Sequence, residues 1–572
     1  MLKRGIYAVV ACALSVGLGR VSAQDKFSYP GCTDVSQTDF NQVTVLDKSK
    51  DATLDEVIRF SVTKDGSVFF AERGGSIKVV KPAGTVVKLG KVNSFPTTSQ
   101  LGKQVNNINN EFGLVGLAAD PDFETNHFLY VTYQTPAGVD STHLSRITVA
   151  NDVLDMASEK VLLSWPTQKD YCCHTGGDIR IDSKGDLWVS VGNNTLNAAD
   201  DNAATAYVDA SIPNSAADDN GHSANTNDLR GKILRIHPTA DGKYTIPAGN
   251  FKEYFASMYT ADQLAKIRPE IYTMGHRNPY TIAVDDVTGL LSWGDVGPDV
   301  NGMTEELNLV SHPGFMGWPY FVGAVGNPNY VFKLNKNPAS PENTSVNNTG
   351  VQKLPPAEGA IIGYQQAAAI TGPIYHYSPS QTSPKKLPGQ FDGKWFVTDW
   401  KNDGFISAVT LGNNATSVVS KTKFFTGAGG GFLHPIQVSI GPDGMMYVLD
   451  YYNLYNFGTF KGQKGVMDTP FSTTPPKLYR IEFKGTPCAA TTALNENRFA
   501  RAESGMKGLI NLGLNGNRIV TVPLGAKIVR LYDLQGKLAW ESKVSNSNGL
   551  YSQSLDVPAS LGNGVYRVKF SF

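Results

Sequence analysis

The chain has 572 residues, with 51 Lys+Arg balanced by 51 Asp+Glu for a formal net charge of zero. That balance excludes a global basic field for nucleic acid and any strong acidic bias, so a partner is neutral or charged only locally. With 57 Gly, 31 Pro, 24 Tyr and 27 Phe, the composition is that of a turn-rich, aromatic all-β protein, long enough for several domains or one large repeat fold.

Residues 1–23 begin with Lys3-Arg4, continue through an apolar run over 6–18 and end on Val21-Ser22-Ala23. A positive start, a short apolar middle and small closing residues predict a secretory signal peptide. The run is short of the ~20 residues a membrane span needs, and no other stretch is long and apolar enough to serve. The expectation is therefore an exported, soluble mature chain without a transmembrane segment. Export leaves Cys32, Cys172, Cys173 and Cys488 in an oxidising setting, where four cysteines allow three pairings. The favoured pairing joins Cys32 to Cys488, tying the ends of the central region, and Cys172 to Cys173. Zinc is disfavoured because adjacent cysteines lack ligand spacing.

From about residue 50 to 485 one pattern recurs: an alternating run, an Asp/Gly turn, and a second alternating run. The first copy spans 58–77 with its turn at Lys64-Asp65-Gly66, and the second spans 114–133 with its turn near Asp120-Pro121-Asp122. The third, over 172–194, opens on Cys172-Cys173-His174-Thr175-Gly176-Gly177 and turns at Asp182-Ser183-Lys184-Gly185. Here a histidine stands at the mouth of a hairpin beside two glycines, where a ligand can approach the backbone. The fourth copy spans 280–293; a weaker fifth spans 395–409; the sixth spans 435–449 around Gly441-Pro442-Asp443-Gly444. Six such units predict a six-bladed β-propeller, which buries sheet faces radially. Two separate sandwiches are the competing reading, but inserts over 195–227 and 323–364 suit a ring whose loops build a site on one face.

The densest unusual segment is 268–323. Gly275-His276-Arg277-Asn278-Pro279 places a guanidinium and an amide just before a strand. Gly294-Asp295-Val296-Gly297-Pro298 follows the hairpin, where carbonyls can turn to a hard cation, and Glu305-Glu306 adds carboxylates. After Cys488 a polar linker over 489–507 leads to short predicted strands at 518–523, 527–533, 537–540 and 565–572. These make a small Ig-like β-sandwich over 508–572 that contains no His or Cys.

Seven blocks occur in family order: Glu111 to Phe123, the HTGG at His174, LRGKILRIHP from Leu229, RPEIYTMGHRNP from Arg268, GDVGPD from Gly294, GWPYFVG from Gly317, and PIQVSIGPDGMMYVLDY from Pro435. Together they resemble the soluble quinoprotein glucose/sorbosone dehydrogenases over about residues 50–485, within a unit bounded at 24–488. The resemblance implies a six-bladed propeller that holds pyrroloquinoline quinone and calcium. It implies His174 as general base, with Asn193 in the position that orients it. It implies Glu111, Arg277, Asn278, Lys401 and His434 around the cofactor, and Gly297 and Pro298 at the metal, for which Glu306 is the candidate carboxylate. A cofactor with three carboxylates wants Arg and Lys, and a quinone taking hydride wants a cation on its oxygen.

Three departures stand out. Asn193 replaces an aspartate, His434 an arginine, and Ile436 a basic residue, which should weaken the base and the grip on the cofactor. The tail motifs IVRLYDLQGKLAW from Ile528 and LGNGVYRVKFSF from Leu561 resemble the sorting domain of type IX secretion cargo. The function expected is a dehydrogenase secreted through the periplasm, to the medium or the outer cell surface, that oxidises a sugar and passes electrons to an external acceptor. The alternative is a non-catalytic propeller that binds a glycan or protein at the cell surface.

Overall fold

The computed structural model describes residues 25–96, 111–136, 138–169, 174–195, 218–298, 304–323, 329–330, 337–365, 368–379, 381, 383–400, 404–412, 415, 417–426, 431–451 and 475–488. In the tail it describes 507–512, 519–522, 528–532, 537–543, 553–558, 561 and 564–571. The expected signal peptide, residues 489–506 of the linker, Cys172, Cys173 and Lys401 lie outside the described residues, while Lys507, expected to end the linker, opens a strand.

Six antiparallel sheets form in chain order. Blade 1 is Val57–Val62, Val68–Glu72, Ser76–Val80 and Val86–Lys91. Blade 2 is Leu114–Ala119, Phe128–Gln134, Ser141–Ala150 and Val153–Pro166. Blade 3 is Gly176–Ile181, Leu187–Val191, Lys232–Pro238 and Ile271–Met274, extended by Gly314–Phe315 in parallel. Blade 4 is Pro279–Val284, Leu291–Asp295, Thr304–Val310 and Ile362–Gln365. Blade 5 is Ala369–Ile374, Lys394–Asp399, Ile406–Leu411 and Val418–Phe425. Blade 6 is Pro435–Ile440, Met446–Asp450 and Lys477–Phe483, completed by the N-terminal strand Phe40–Leu46.

The first strands of successive blades pack against one another around the axis. Gln437 joins the last inner strand to the first: its amide accepts from Phe60 N–H at 3.1 Å and donates to Phe60 O at 2.8 Å. This is a six-bladed β-propeller, as the repeat pattern predicts. Because blades stack face to face, their second strands are covered on both sides. They read as continuous apolar runs such as Val68-Phe69-Phe70-Ala71 and Met446-Tyr447-Val448-Leu449, all buried. Outer strands such as Val418–Phe425 keep exposed positions. The ring closes where a strand near the N-terminus pairs with one more than 400 residues on, and the Cys32–Cys488 disulfide staples that seam.

In five blades the sequence hairpin is the inner pair of strands. In blade 5 it is the second and third strands, since the inner strand Ala369–Ile374 is separated from the second by the long connection 375–393, whose Asp392-Gly393 turn adjoins only Lys394–Asp399. Beyond the propeller, Lys507–Leu512, Gly564–Ser571, Ile528–Tyr532 and Leu538–Lys543 form one sheet in that order. Ile519–Val522 pairs with Gln553–Asp556 in another. Two of these strands, Lys507–Leu512 and Gln553–Asp556, have no counterpart among the expected ones.

Candidate active site

Residues just before an inner strand and just after a second strand meet at one end of the ring, because the two strands are antiparallel. His174, Asn278 and His434 belong to the first group; Asn193, Gly297 and Trp400 belong to the second. A recurrent device holds this end in shape. A side chain closing the second strand receives the N–H groups that precede the inner one: Glu72 takes Asp55 N–H, Gln134 takes Gly113, Asp399 takes Ala368, and Asp450 takes Leu433 and His434. In blade 4, Asp295 takes Arg277 N–H at 3.2 Å and Asn278 N–H at 2.6 Å, which presents the Arg277 and Asn278 side chains at the mouth. Blade 3 departs from this pattern. Glu111, reaching across from blade 2, accepts His174 N–H at 2.6 Å, Thr175 N–H at 3.3 Å and the Asn278 amide at 3.3 Å. The crowding of protein around Glu111 holds its carboxyl above the ordinary glutamate range, against the pull of those donors and Arg277.

That clamp matters because His174 sits at φ +59°, a left-handed conformation that costs a non-glycine residue ~1–2 kcal/mol. Its carbonyl accepts Asn194 N–H at 3.0 Å, so the backbone is pinned on both sides. Gly192 is required here, since a Cβ on it would lie 2.1 Å from His174 O. The ring is buried, and its Nδ1 lies 2.9 Å from Asn193 Oδ1. Burial first, then the nearby Arg277 guanidinium, push the imidazole well below its usual range, while Asn193 opposes the shift only partly. His174 is therefore neutral at pH 7.

Behind Asn193 stands a residue not foreseen from the sequence. Asp219, fully buried, accepts Asn193 Nδ2 at 3.0 Å and Trp318 Nε1 at 2.7 Å on Oδ2, and the Thr195 hydroxyl on Oδ1. It lies in the 195–227 insert, whose Asn/Asp/Ala composition reads as loop; the adjacent acids Asp218-Asp219 were the only signal. The turn is braced by the other insert, where Ser345 and Asn347 donate to Asp218 and Asn343 donates to the carbonyls of Asn220 and Ala224.

Arg277 Nη1 donates to Val296 O at 2.9 Å, joining the cofactor and metal loops of the sequence reading. Strand alternation sends the adjacent carboxylates of blade 4 to opposite faces. Glu305 accepts Gly297 N–H at 3.1 Å and Ala369 N–H at 3.3 Å. Glu306 instead accepts Gly323 N–H at 2.6 Å and the Asn308 amide at 3.3 Å. Thus Glu305, not the Glu306 singled out from sequence, contacts the Gly297-Pro298 loop. Burial raises both carboxyls to about 8. His434 donates from Nδ1 to Trp400 O at 2.8 Å with its ring stacked on Trp400. Ile436, by contrast, is buried core.

The chain is 28% identical to quinoprotein glucose dehydrogenase B of Acinetobacter calcoaceticus over 284 residues, 47% of this chain and 51% of that one. It is 26% identical to an uncharacterised Synechocystis protein over 258 residues, 45% of this chain and 54% of that one. It thus matches about half the length of these curated relatives. A solved oxidoreductase of Thermus thermophilus, described as a glucose dehydrogenase, superposes with a TM-score of 0.50 at 20% identity, over 77% of this chain and 99% of that one. The glucose/sorbosone dehydrogenase family model matches residues 54–453, and the chain belongs to that family.

Proposed function

We propose that the chain is a quinone-dependent dehydrogenase that oxidises a sugar, or a related alcohol or aldehyde, at the mouth around His174. The observation that carries this reading is the state of that imidazole. It is buried, neutral, and engaged through Nδ1 with a carbonyl oxygen, which can only accept. Nδ1 therefore holds the hydrogen, and Nε2 is left with its lone pair to take the proton of a substrate hydroxyl. For an aldose the product is a lactone.

The residues present fit a quinone cofactor on an observation of the site itself. Asn278 Oδ1 is buried with no hydrogen-bond partner among the described residues, and it stands beside the Arg277 cation. A buried acceptor of this kind calls for a donor beyond the described residues, a place a bound cofactor would fill. Arg277, Asn278 and His434, with Lys401, would hold pyrroloquinoline quinone, and the Gly297 and Pro298 carbonyls a calcium ion. When bound, the quinone supplies the hydride acceptor. The name of the Acinetobacter relative, a quinoprotein glucose dehydrogenase, supports both the cofactor and the substrate class.

Export is part of the same reading. A disulfide such as Cys32–Cys488 persists in oxidising compartments, residues 1–23 would be removed, and residues 508–572 would serve as the type IX sorting domain. Among the described residues no helix is long and apolar enough to cross a membrane.

The test is dye reduction by the mature chain, given pyrroloquinoline quinone and calcium, against a panel of sugars. Turnover with at least one sugar is expected, and His174→Ala should lower it by ~100-fold or more. Failure to bind the cofactor would favour a propeller that binds a glycan or protein without chemistry, the reading for which Asn193 and His434 speak.

A further inference from the structure

We propose that Asp219 is a positioning residue: acting through the Asn193 amide, its carboxylate selects the His174 tautomer that leaves Nε2 free, and it supplies the negative charge that Asn193 lacks. This rests on the reading of His174 as the base.

An asparagine can present either end of its amide, and its partners decide which. Asn193 Oδ1 faces His174 Nδ1 at 2.9 Å and receives Thr195 N–H at 3.4 Å, while Nδ2 faces Asp219 Oδ2 at 3.0 Å. Turned end for end, the amide would set its NH2 against the Thr195 N–H and its oxygen against a carboxylate. Both contacts are repulsive. Asp219 is thus the element that turns the Asn193 carbonyl towards the histidine and makes Nδ1 the protonated nitrogen.

Asp219 is itself held fast. Trp318 Nε1 can only donate, and it donates to the same oxygen as Asn193; the Thr195 hydroxyl takes the other. Its hydrogen-bond partners are all neutral, so its charge is not cancelled by a contacting cation. That charge polarises the amide and favours the imidazolium formed when Nε2 accepts a proton. Two hydrogen bonds in series therefore do what one aspartate in contact with the ring would do. The long insert brings the acid to the site from a distance of 26 residues in sequence.

The experiment uses the full mature chain labelled with 15N-histidine and free of cofactor, with His174→Ala locating the signal among the nine histidines. The wild type should show a protonated Nδ1 and a bare Nε2. Asp219→Leu removes the oxygen that Asn193 Nδ2 and Trp318 Nε1 share, so the Asn193 amide can turn and the two tautomers should mix, whereas Asp219→Asn keeps an acceptor there and removes only the charge. In the loaded enzyme kcat should fall on the order of 10- to 100-fold with KM little changed. Asn193→Asp places two buried carboxylates side by side and should be impaired. The exchange Asn193→Asp with Asp219→Asn relieves that repulsion, so it should recover the Nδ1–H tautomer and much of the lost kcat. A folded Asp219→Leu protein with the wild-type tautomer overturns the proposal. If that variant does not fold, an exchange variant lacking the Nδ1–H signature overturns it equally. A wild type inactive on every sugar would instead sink the dehydrogenase reading, and the imidazole spectra would still decide the role of Asp219.

Discussion

His174 and Asp219 divide the acid and base properties of the site between them. Burial and Arg277 hold the imidazole well below its usual range, so its own titration lies below that of an ordinary histidine. Burial raises the Asp219 carboxyl to about 7. The charged groups around it are Asp218, which pushes it up, His222, held down to about 3, and Lys232, lowered to about 7 with its ammonium donating to three backbone carbonyls. Protonated Asp219 loses the charge that supports the imidazolium, so kcat should rise with pH through about 7, and Asp219→Asn should flatten that limb. A pH profile of both enzymes checks this, and a limb that survives the substitution would assign it elsewhere. At this scale His174, Arg277 and Asn278 were legible in the sequence because each sits in a short motif. Asp219 was not, because its partner lies across a hairpin and an insert, and no local pattern encodes that distance.

Among the elements, the inner hairpin of blade 3 is closely packed around the histidine. Gly177, at φ +99°, leaves no room for a Cβ against Val115, and Gly192 leaves none against His174 O. Gly192→Ala should therefore push the histidine out of line, lowering kcat by more than about tenfold while costing only ~1–3 kcal/mol of stability. Equal losses in thermal midpoint and activity with an unmoved His174 resonance would contradict this. Hairpins with an Asp/Gly turn were readable because alternation and turn chemistry coincide. The inner strand of blade 5 was not, and neither was Glu305 as the partner of Gly297, since adjacent carboxylates look alike until a register assigns their faces.

Across the whole molecule, closure of the ring is the long-range event. The strand Phe40–Leu46 must find Lys477–Phe483 before blade 6 is complete, and Cys32–Cys488 makes that pairing permanent across 456 residues. Replacing both cysteines by serine should cost ~2–4 kcal/mol and lower the thermal midpoint, with the far-ultraviolet spectrum unchanged. An unaltered midpoint would mean that strand pairing alone secures the seam. Six repeats were enough to predict the propeller, whereas its closing strand lacked any turn or repeat to mark it. The central claim, that this propeller oxidises sugars through a quinone, is tested most directly by loading the mature chain with one equivalent of pyrroloquinoline quinone and calcium, without dye, and following the quinone absorbance as sugars are added. Bleaching by at least one sugar, slowed by His174→Ala, is the predicted result. A bound quinone whose spectrum no sugar changes would contradict it.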